Sequence, residues 1–257
     1  ASEIWCQGFS EPEAGSDLVS IQTKASVDGS ELTISGQKVW TSRAEISRYN
    51  ALLVRTDPDA TPHRGLSLLL LDMESPGVTV RPLPQLLDEP HFSEVFFDDV
   101  RVPSSAVLGE LHGGWGVSMA AMSYERGLFV LERMIRLKRR LADLVGRLRS
   151  DGNIEQRLSE IGRLYSHLEV LRAQIYRTLA AQGVGELQPG ESSVDKLFMS
   201  EIYQDLFTTG FDLLGEEPAM EDDGWAHDLL ESRSVTIYSG TTEIQRNIIA
   251  RHLLGLR

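Results

Sequence analysis

The sequence predicts an α+β multidomain chain: a β-barrel or β-sandwich over residues 1–108, followed by an antiparallel α-helical bundle over residues 109–257. Three observations carry that reading. The hydrophobic period changes once, near Gly109, from short β-prone runs to helical spacing. Turn residues punctuate the first part, and its prolines, Pro76, Pro82, Pro84, Pro90 and Pro103, fall between the apolar runs, where connections or edge strands accept them. In the second part Leu158, Ile161, Leu164, Leu168, Leu171, Ile175 and Leu179 step by three or four, which puts them on one helix face.

In chain order, the runs 21–27 and 32–34 flank Asp28-Gly29, a strong hairpin signal, and Gly36 separates 32–34 from 38–40. Further strands are expected at 51–55, 66–71, 78–80 and 95–97. Helical spacing starts after Gly113-Gly114 and is interrupted at 183–190. A helix is expected over 193–214, an exposed acidic loop over 216–223, and two last helices over 225–236 and 242–254, flanking Tyr238-Ser239-Gly240. Long helices in succession suggest the bundle.

Composition narrows the function classes. With 38 acidic against 25 basic residues the formal charge is −13, which repels nucleic acid and anionic lipid. Cys6 is the lone cysteine, so no internal disulfide forms. The histidines are scattered, with no pair one helical turn apart, and no metal site is read. The longest apolar run, 66–71, is far short of the roughly 20 residues that span a bilayer. Ala1-Ser2-Glu3-Ile4-Trp5 lacks the pattern of a signal peptide, so a cytoplasmic location is expected, with a mitochondrial matrix location left open by a start that reads as mid-protein.

Two segments at opposite ends hold the chemistry: Ser10-Glu11-Pro12-Glu13-Ala14-Gly15-Ser16-Asp17 and Tyr238-Ser239-Gly240-Thr241-Thr242-Glu243-Ile244-Gln245-Arg246. Alone, the first reads equally as a polar β-turn or as a rim of small donors for a flat ring, and the second as a turn with a helix cap. With Gln37-Lys38-Val39-Trp40-Thr41-Ser42 and Phe97-Asp98-Asp99-Val100-Arg101-Val102-Pro103, they resemble the signatures of the acyl-CoA dehydrogenase family, over essentially the whole chain. The order of β part and helical part is similar to that family's middle and C-terminal domains. Its N-terminal helical domain has no counterpart in this sequence, and the resemblance implies that a longer chain or a neighbouring one supplies it.

The resemblance implies FAD as cofactor, with Gln7, Phe9, Ser10, Trp40 and Ser42 around the flavin ring and Thr241 and Glu243 at its nucleotide. It implies Ser16, Gly240 and Arg126 as contacts of the acyl-CoA substrate. The backbone N–H of Ser239 is implied as a donor to the thioester carbonyl, a role independent of the side chain. Capping by Thr241, with Glu243 in an acidic first turn, is compatible with the nucleotide role.

Many members carry the catalytic glutamate where this chain has Ser239, and others carry it on the first long helix, directly before an arginine. Here that position reads Ser123-Tyr124-Glu125-Arg126-Gly127, and Glu125 is the candidate base. Beside a flavin and an acyl chain, burial raises a carboxyl pKa and suits it to accept a proton near neutral pH. The competing reading is a solvated helix-surface carboxylate. The family's Arg-x-x-Phe-Gly string is missing; the basic run 133–140 either substitutes for it or is a solvated helix face.

The implied activity is FAD-dependent α,β-dehydrogenation of an acyl-CoA thioester, with hydride passing to flavin N5 and electrons onward to an electron-transfer protein or another acceptor. A homo- or hetero-oligomer, dimer or tetramer, is implied. The alternatives are a non-catalytic partner subunit of a heteromeric acyl-CoA dehydrogenase and a flavin-free scaffold.

Overall fold

The computed structural model describes residues 3–87, 91–215 and 224–256, and for residues 123–126 the backbone alone. Pro90 and the acidic loop expected over 216–223 lie outside the described residues. The chain divides into two compact units, Ala1–Ala121 and Met122–Arg257.

The first unit is one seven-stranded sheet. Its strands are β1 (Trp5–Gly8), β2 (Lys24–Asp28), β3 (Glu31–Ser42), β4 (Tyr49–Arg55), β5 (Leu66–Asp72), β6 (Val78–Pro82) and β7 (Phe92–Pro103). Their order is β1-β4-β2-β3-β7-β6, with β5 on the other edge of β4. The hairpin signal is met: Asp28 pairs with Glu31 around Gly29, whose φ of +57° suits a residue without a side chain. The two runs around Gly36 are a single strand, β3, bent by irregular register between Ile34 and Gly36 and again between Lys38 and Thr41. β1, too short and too mixed to stand out in the sequence, pairs in parallel with β4 from Trp5↔Tyr49 to Gly8↔Leu52. Ala25, Leu32, Ile34, Leu52, Val54, Leu69, Leu71, Val95, Phe97 and Val100 form its apolar core, contributed by alternate positions of successive strands.

The helices are α1 (Gly114–Ser150), α2 (Leu158–Gly183), α3 (Glu191–Leu214), α4 (Trp225–Ser232) and α5 (Thr242–His252). In the second unit, the part of α1 beyond Met122 packs with α2 and α3 through Val130, Met134, Leu137, Leu141, Leu144, Leu164, Leu168, Leu171, Ile175, Met199, Tyr203 and Phe207. The stripe read in α2 is the core stripe at its centre, whereas Leu158, at its first turn, is 58% exposed. α3 is buried around most of its circumference, which fits a central helix. α4 ends at Ser232, earlier than its apolar pattern suggested, because residues 233–239 form successive turns that lead into Tyr238-Ser239-Gly240.

Candidate active site

In the β unit the first motif closes on itself. Glu11 and Ala14 exchange backbone hydrogen bonds of 3.0 and 3.1 Å around Pro12 and Glu13, forming a tight turn. The Glu11 side chain turns inward, where its carboxylate accepts from the amides of Gln22 (2.5 Å) and Thr23 (2.9 Å) and from Lys38 Nζ (2.8 Å). Lys38, wholly buried, also donates to the Phe9 carbonyl at 3.0 Å. Burial disfavours the charge on Glu11, yet Lys38 and the two amides outweigh it and hold the carboxyl below its ordinary range. Burial wins at Lys38, which is pulled down to about 8 against the upward pull of Glu11.

This anchor sets the surface above it. The Val39 amide donates to the Ser10 carbonyl at 2.9 Å, so residues 9–10 run beside β3 where its register shifts. The next residue, Trp40, takes a left-handed backbone (φ 59°) that bulky L-residues avoid; the residue is 59% exposed and its ring lies edge-on to Phe92 at 6.0 Å. An outward indole on a strained backbone is what an aromatic wall for a planar ligand requires. Phe9 is buried, Ser10 half-buried, and Gln7, Ser16 and Ser42 exposed.

The helical unit builds the second motif in the same manner. Ser239 (φ 53°) and Gly240 (φ 90°) are consecutive left-handed residues. Their carbonyls both accept from Gln245 Nε2, at 2.8 and 3.1 Å, and Lys196 Nζ adds a bond of 2.8 Å to Gly240. A Cβ on Gly240 would lie 2.5 Å from Gln245 Nε2, so the position requires glycine. Thr241 caps α5, accepting from the Ile244 amide at 3.3 Å, and Glu243, exposed in the first turn, is held low by its own backbone amide and by Thr241. Among the described residues the amides of Ser239, Gly240 and Thr241 donate to no backbone carbonyl.

Tyr238, just before the turn, has a buried hydroxyl pushed up to about 12 by desolvation, against the pull of Arg133. Its ring meets Phe129 of α1 edge-on at 5.6 Å, and the Arg133 guanidinium lies 5.1 Å from the Phe129 ring. The side chains of Glu125 and Arg126 lie outside the described residues; their backbone belongs to α1. Position 125 is one helical turn before Phe129, on the face away from Gly127, where an added Cβ would meet Gln182 and Leu179 of α2.

Among the described residues one group could ligate a metal, His227, Asp228 and Glu231. Arg140 and Arg136 bind the Asp228 carboxylate, and Arg133 and Arg136 bind Glu231, so arginines already fill the ligand positions. No helix among the described residues is long and apolar enough to cross a membrane. Sequence reasoning assigned no role to Lys38, Lys196, Gln245 or the buried carboxylate of Glu11. The available signal was a lysine inside a core stripe: Lys196 lies three residues before Met199, and Lys38 alternates with Gln37 and Val39 on β3.

Each surface, taken within its own unit, offers groups that part of a flavin can use: an exposed indole beside small hydroxyl residues in the β unit, and in the helical unit, at a capped helix start, amides that donate to no backbone carbonyl among the described residues. Comparison with known proteins gives the same direction. The family model for the acyl-CoA dehydrogenase middle domain matches residues 6–100, and that for the C-terminal domain matches residues 112–254. The chain is 40% identical to acyl-CoA dehydrogenase IpdE1 of Mycobacterium tuberculosis (strain ATCC 25618 / H37Rv), covering 99% of this chain and 67% of that protein. It is similar to the solved Tcur3481-Tcur3483 steroid ACAD, at 28% identity with a TM-score of 0.92, over 99% of this chain and 68% of that one. It is likewise similar to the solved FAD complex of PigA, at 26% identity and a TM-score of 0.92, over 99% and 68% of the two chains.

Proposed function

Because this chain belongs to the acyl-CoA dehydrogenase family of FAD-dependent oxidoreductases, we propose that it performs α,β-dehydrogenation of an acyl-CoA thioester with Glu125 as the base. The packing of Phe129 on Tyr238 carries this reading. It ties the helix bearing position 125 to the segment that leads into Ser239, so a base on the helix can serve the centre that a glutamate at 239 serves elsewhere in the family.

When bound, FAD would supply the acceptor, its N5, for the hydride that leaves the β carbon. Glu125 takes the α proton onto its carboxylate. The Ser239 amide donates to the thioester carbonyl oxygen and stabilises the charge that grows there as the proton leaves. Trp40 excludes water from one face of the site, and Gln7, Phe9, Ser10 and Ser42 hold the rim of the ring. Thr241 and Glu243 orient the nucleotide. Ser16, Arg126 and Gly240 hold the substrate. The functional division runs between 108 and 109, with the flavin and thioester side before it and the base and oligomer contacts after it.

An electron-transfer protein, or another acceptor, would take up the electrons. The chain works in an oligomer, a dimer or tetramer. An apolar groove of about 530 Å³ on α1 and α2, lined by Leu141, Val145, Leu158, Ile161, Tyr165 and Leu168, supports a partner on that side of the bundle. The steroid named for the solved relative supports a bulky acyl group. Its paired chain names support a second reading, in which this chain is the partner subunit of a heteromer and another chain holds the base.

Glu125→Gln separates the two. In the flavin-loaded protein it should abolish substrate-dependent bleaching of the flavin while leaving the flavin bound; unchanged bleaching overturns the assignment.

A further inference from the structure

We propose that Lys196 and Gln245 are positioning residues for the Ser239 amide: they hold the two carbonyls that follow it, and thereby aim the N–H side of the turn at the substrate. The inference rests on the reading of that amide as the donor to the thioester carbonyl.

Both side chains are fully buried. Between them they place three hydrogen bonds, of 2.8, 2.8 and 3.1 Å, on two consecutive carbonyl oxygens. In a trans peptide the C=O and N–H point in opposite directions, and the described chain has no cis peptide. Pulling the Ser239 and Gly240 carbonyls inward therefore turns the Gly240 and Thr241 amides outward. The same bonds fix the left-handed torsions at 239 and 240, and with them the direction of the Ser239 N–H. Left alone, a non-glycine residue such as Ser239 leaves that region readily, and the amide would swing with it.

Apolar packing alone does not account for Lys196, whose ammonium also lies 5.9 Å from the Tyr238 ring, just before the turn. It sits in the buried stripe of α3 with Met199 and Tyr203, where an apolar side chain of the same length would pack without the cost of desolvating an ammonium. An amide held for catalysis does account for it, because donors to a developing oxyanion act only when fixed in advance. Gln245 offers its NH₂ to both carbonyls while its Oε1 is buried without a partner among the described residues, a cost accepted for the two bonds on the other side.

The test uses the flavin-loaded full-length protein and 3-oxooctanoyl-CoA, whose α proton is acidic enough to titrate when bound. Its enolate is read by absorbance, without hydride transfer. The unaltered protein should lower the ligand's pKa relative to free solution. Lys196→Met and Gln245→Met should each give back about one to two pH units of that shift, a 10- to 100-fold loss of enolate stabilisation, with bound flavin and cooperative unfolding retained. Turnover should fall through kcat with KM nearly constant. If Lys196→Met fails to fold, Gln245→Met decides alone. Should the unaltered protein leave the ligand's pKa where it is in solution, the reading of the Ser239 amide fails and the positioning role falls with it. A normal shift in the unaltered protein that persists in the variants overturns the positioning role and leaves the amide reading standing.

Discussion

Lys38 Nζ and Glu11 Oε1 lie 2.8 Å apart with both side chains withdrawn from solvent, and the same ammonium holds the Phe9 carbonyl. The two partners are unequal. Glu11 also terminates the amides of Gln22 and Thr23, so its loss strands three donors, whereas loss of Lys38 leaves the carboxylate two of its bonds. Lys38→Met should cost about 3–5 kcal/mol and Glu11→Leu more, as measured by denaturant unfolding of the apoprotein. Equal costs would show that the amide bonds contribute nothing.

The pair also makes stability depend on pH in an unusual direction. Lys38 titrates near 8 when folded and at its ordinary 10.5 when unfolded, so between those values unfolding takes up a proton at this site. Its contribution to the unfolding free energy therefore rises with pH across that window. Below about 8 both states carry the ammonium and the full cost of burying it is felt. Lys38→Met should remove this rising component from the stability profile. A profile identical in the unaltered protein and the variant would sink the assignment.

At Gly240 a methyl group would sit 2.5 Å from Gln245 Nε2, on a backbone at φ 90°. Gly240→Ala should destabilise by about 1–3 kcal/mol, because the side chain that must yield is the one bonded to the turn. Thermal unfolding of the apoprotein measures this. Stability unchanged within error would mean that Gln245 moves freely and does not hold the turn.

The two-part architecture was legible because period and punctuation are local properties: Asp28-Gly29 marks a hairpin, and the 164–168–171–175 stripe marks a core face. The strand β1 was not, since four residues with an exposed Trp5 carry no alternation to count, and parallel pairing with Tyr49–Leu52 is a long-range event. Site residues divide similarly. Trp40 and the Tyr238–Gly240 turn were singled out as candidates by their motif. The residues that support them were not, because Glu11 with Lys38, and Lys196 with Gly240, meet only in the folded chain, 27 and 44 residues apart in sequence.

Asp228 of α4 is buried and takes bonds from Arg136 and from Arg140 Nε, the latter at 2.5 Å, while Trp225 Nε1 donates to Asp143 of α1 at 2.6 Å. The basic run 133–140 is therefore in part a clamp that fastens α4 to α1. Asp228→Asn should cost about 3–5 kcal/mol in denaturant unfolding, since it leaves two guanidiniums facing a neutral group. The clamp also predicts that zinc chloride does not raise the melting temperature, because the arginines occupy the ligand atoms of Asp228 and Glu231. A rise that His227→Ala abolishes would show that a cation displaces them.

Trp40 separates stability from cofactor binding. Replacing it with glycine relieves a left-handed aromatic backbone, worth about 1–2 kcal/mol, but loses the edge contact with Phe92, worth about 0.5–1.5 kcal/mol, and adds about 0.5–1 kcal/mol of chain entropy. These terms nearly cancel, so the apoprotein of Trp40→Gly should unfold within about 1 kcal/mol of the unaltered protein. A tryptophan 59% exposed, however, has much of its surface available to a ligand. If that ligand is the flavin ring, removing the wall costs roughly 1–3 kcal/mol of stacking, and the dissociation constant for FAD, read by fluorescence quenching on titration, should rise about 5- to 150-fold. Unchanged FAD affinity with unchanged stability would mean that the indole faces something other than the flavin, and the strained backbone at position 40 would then need another cause.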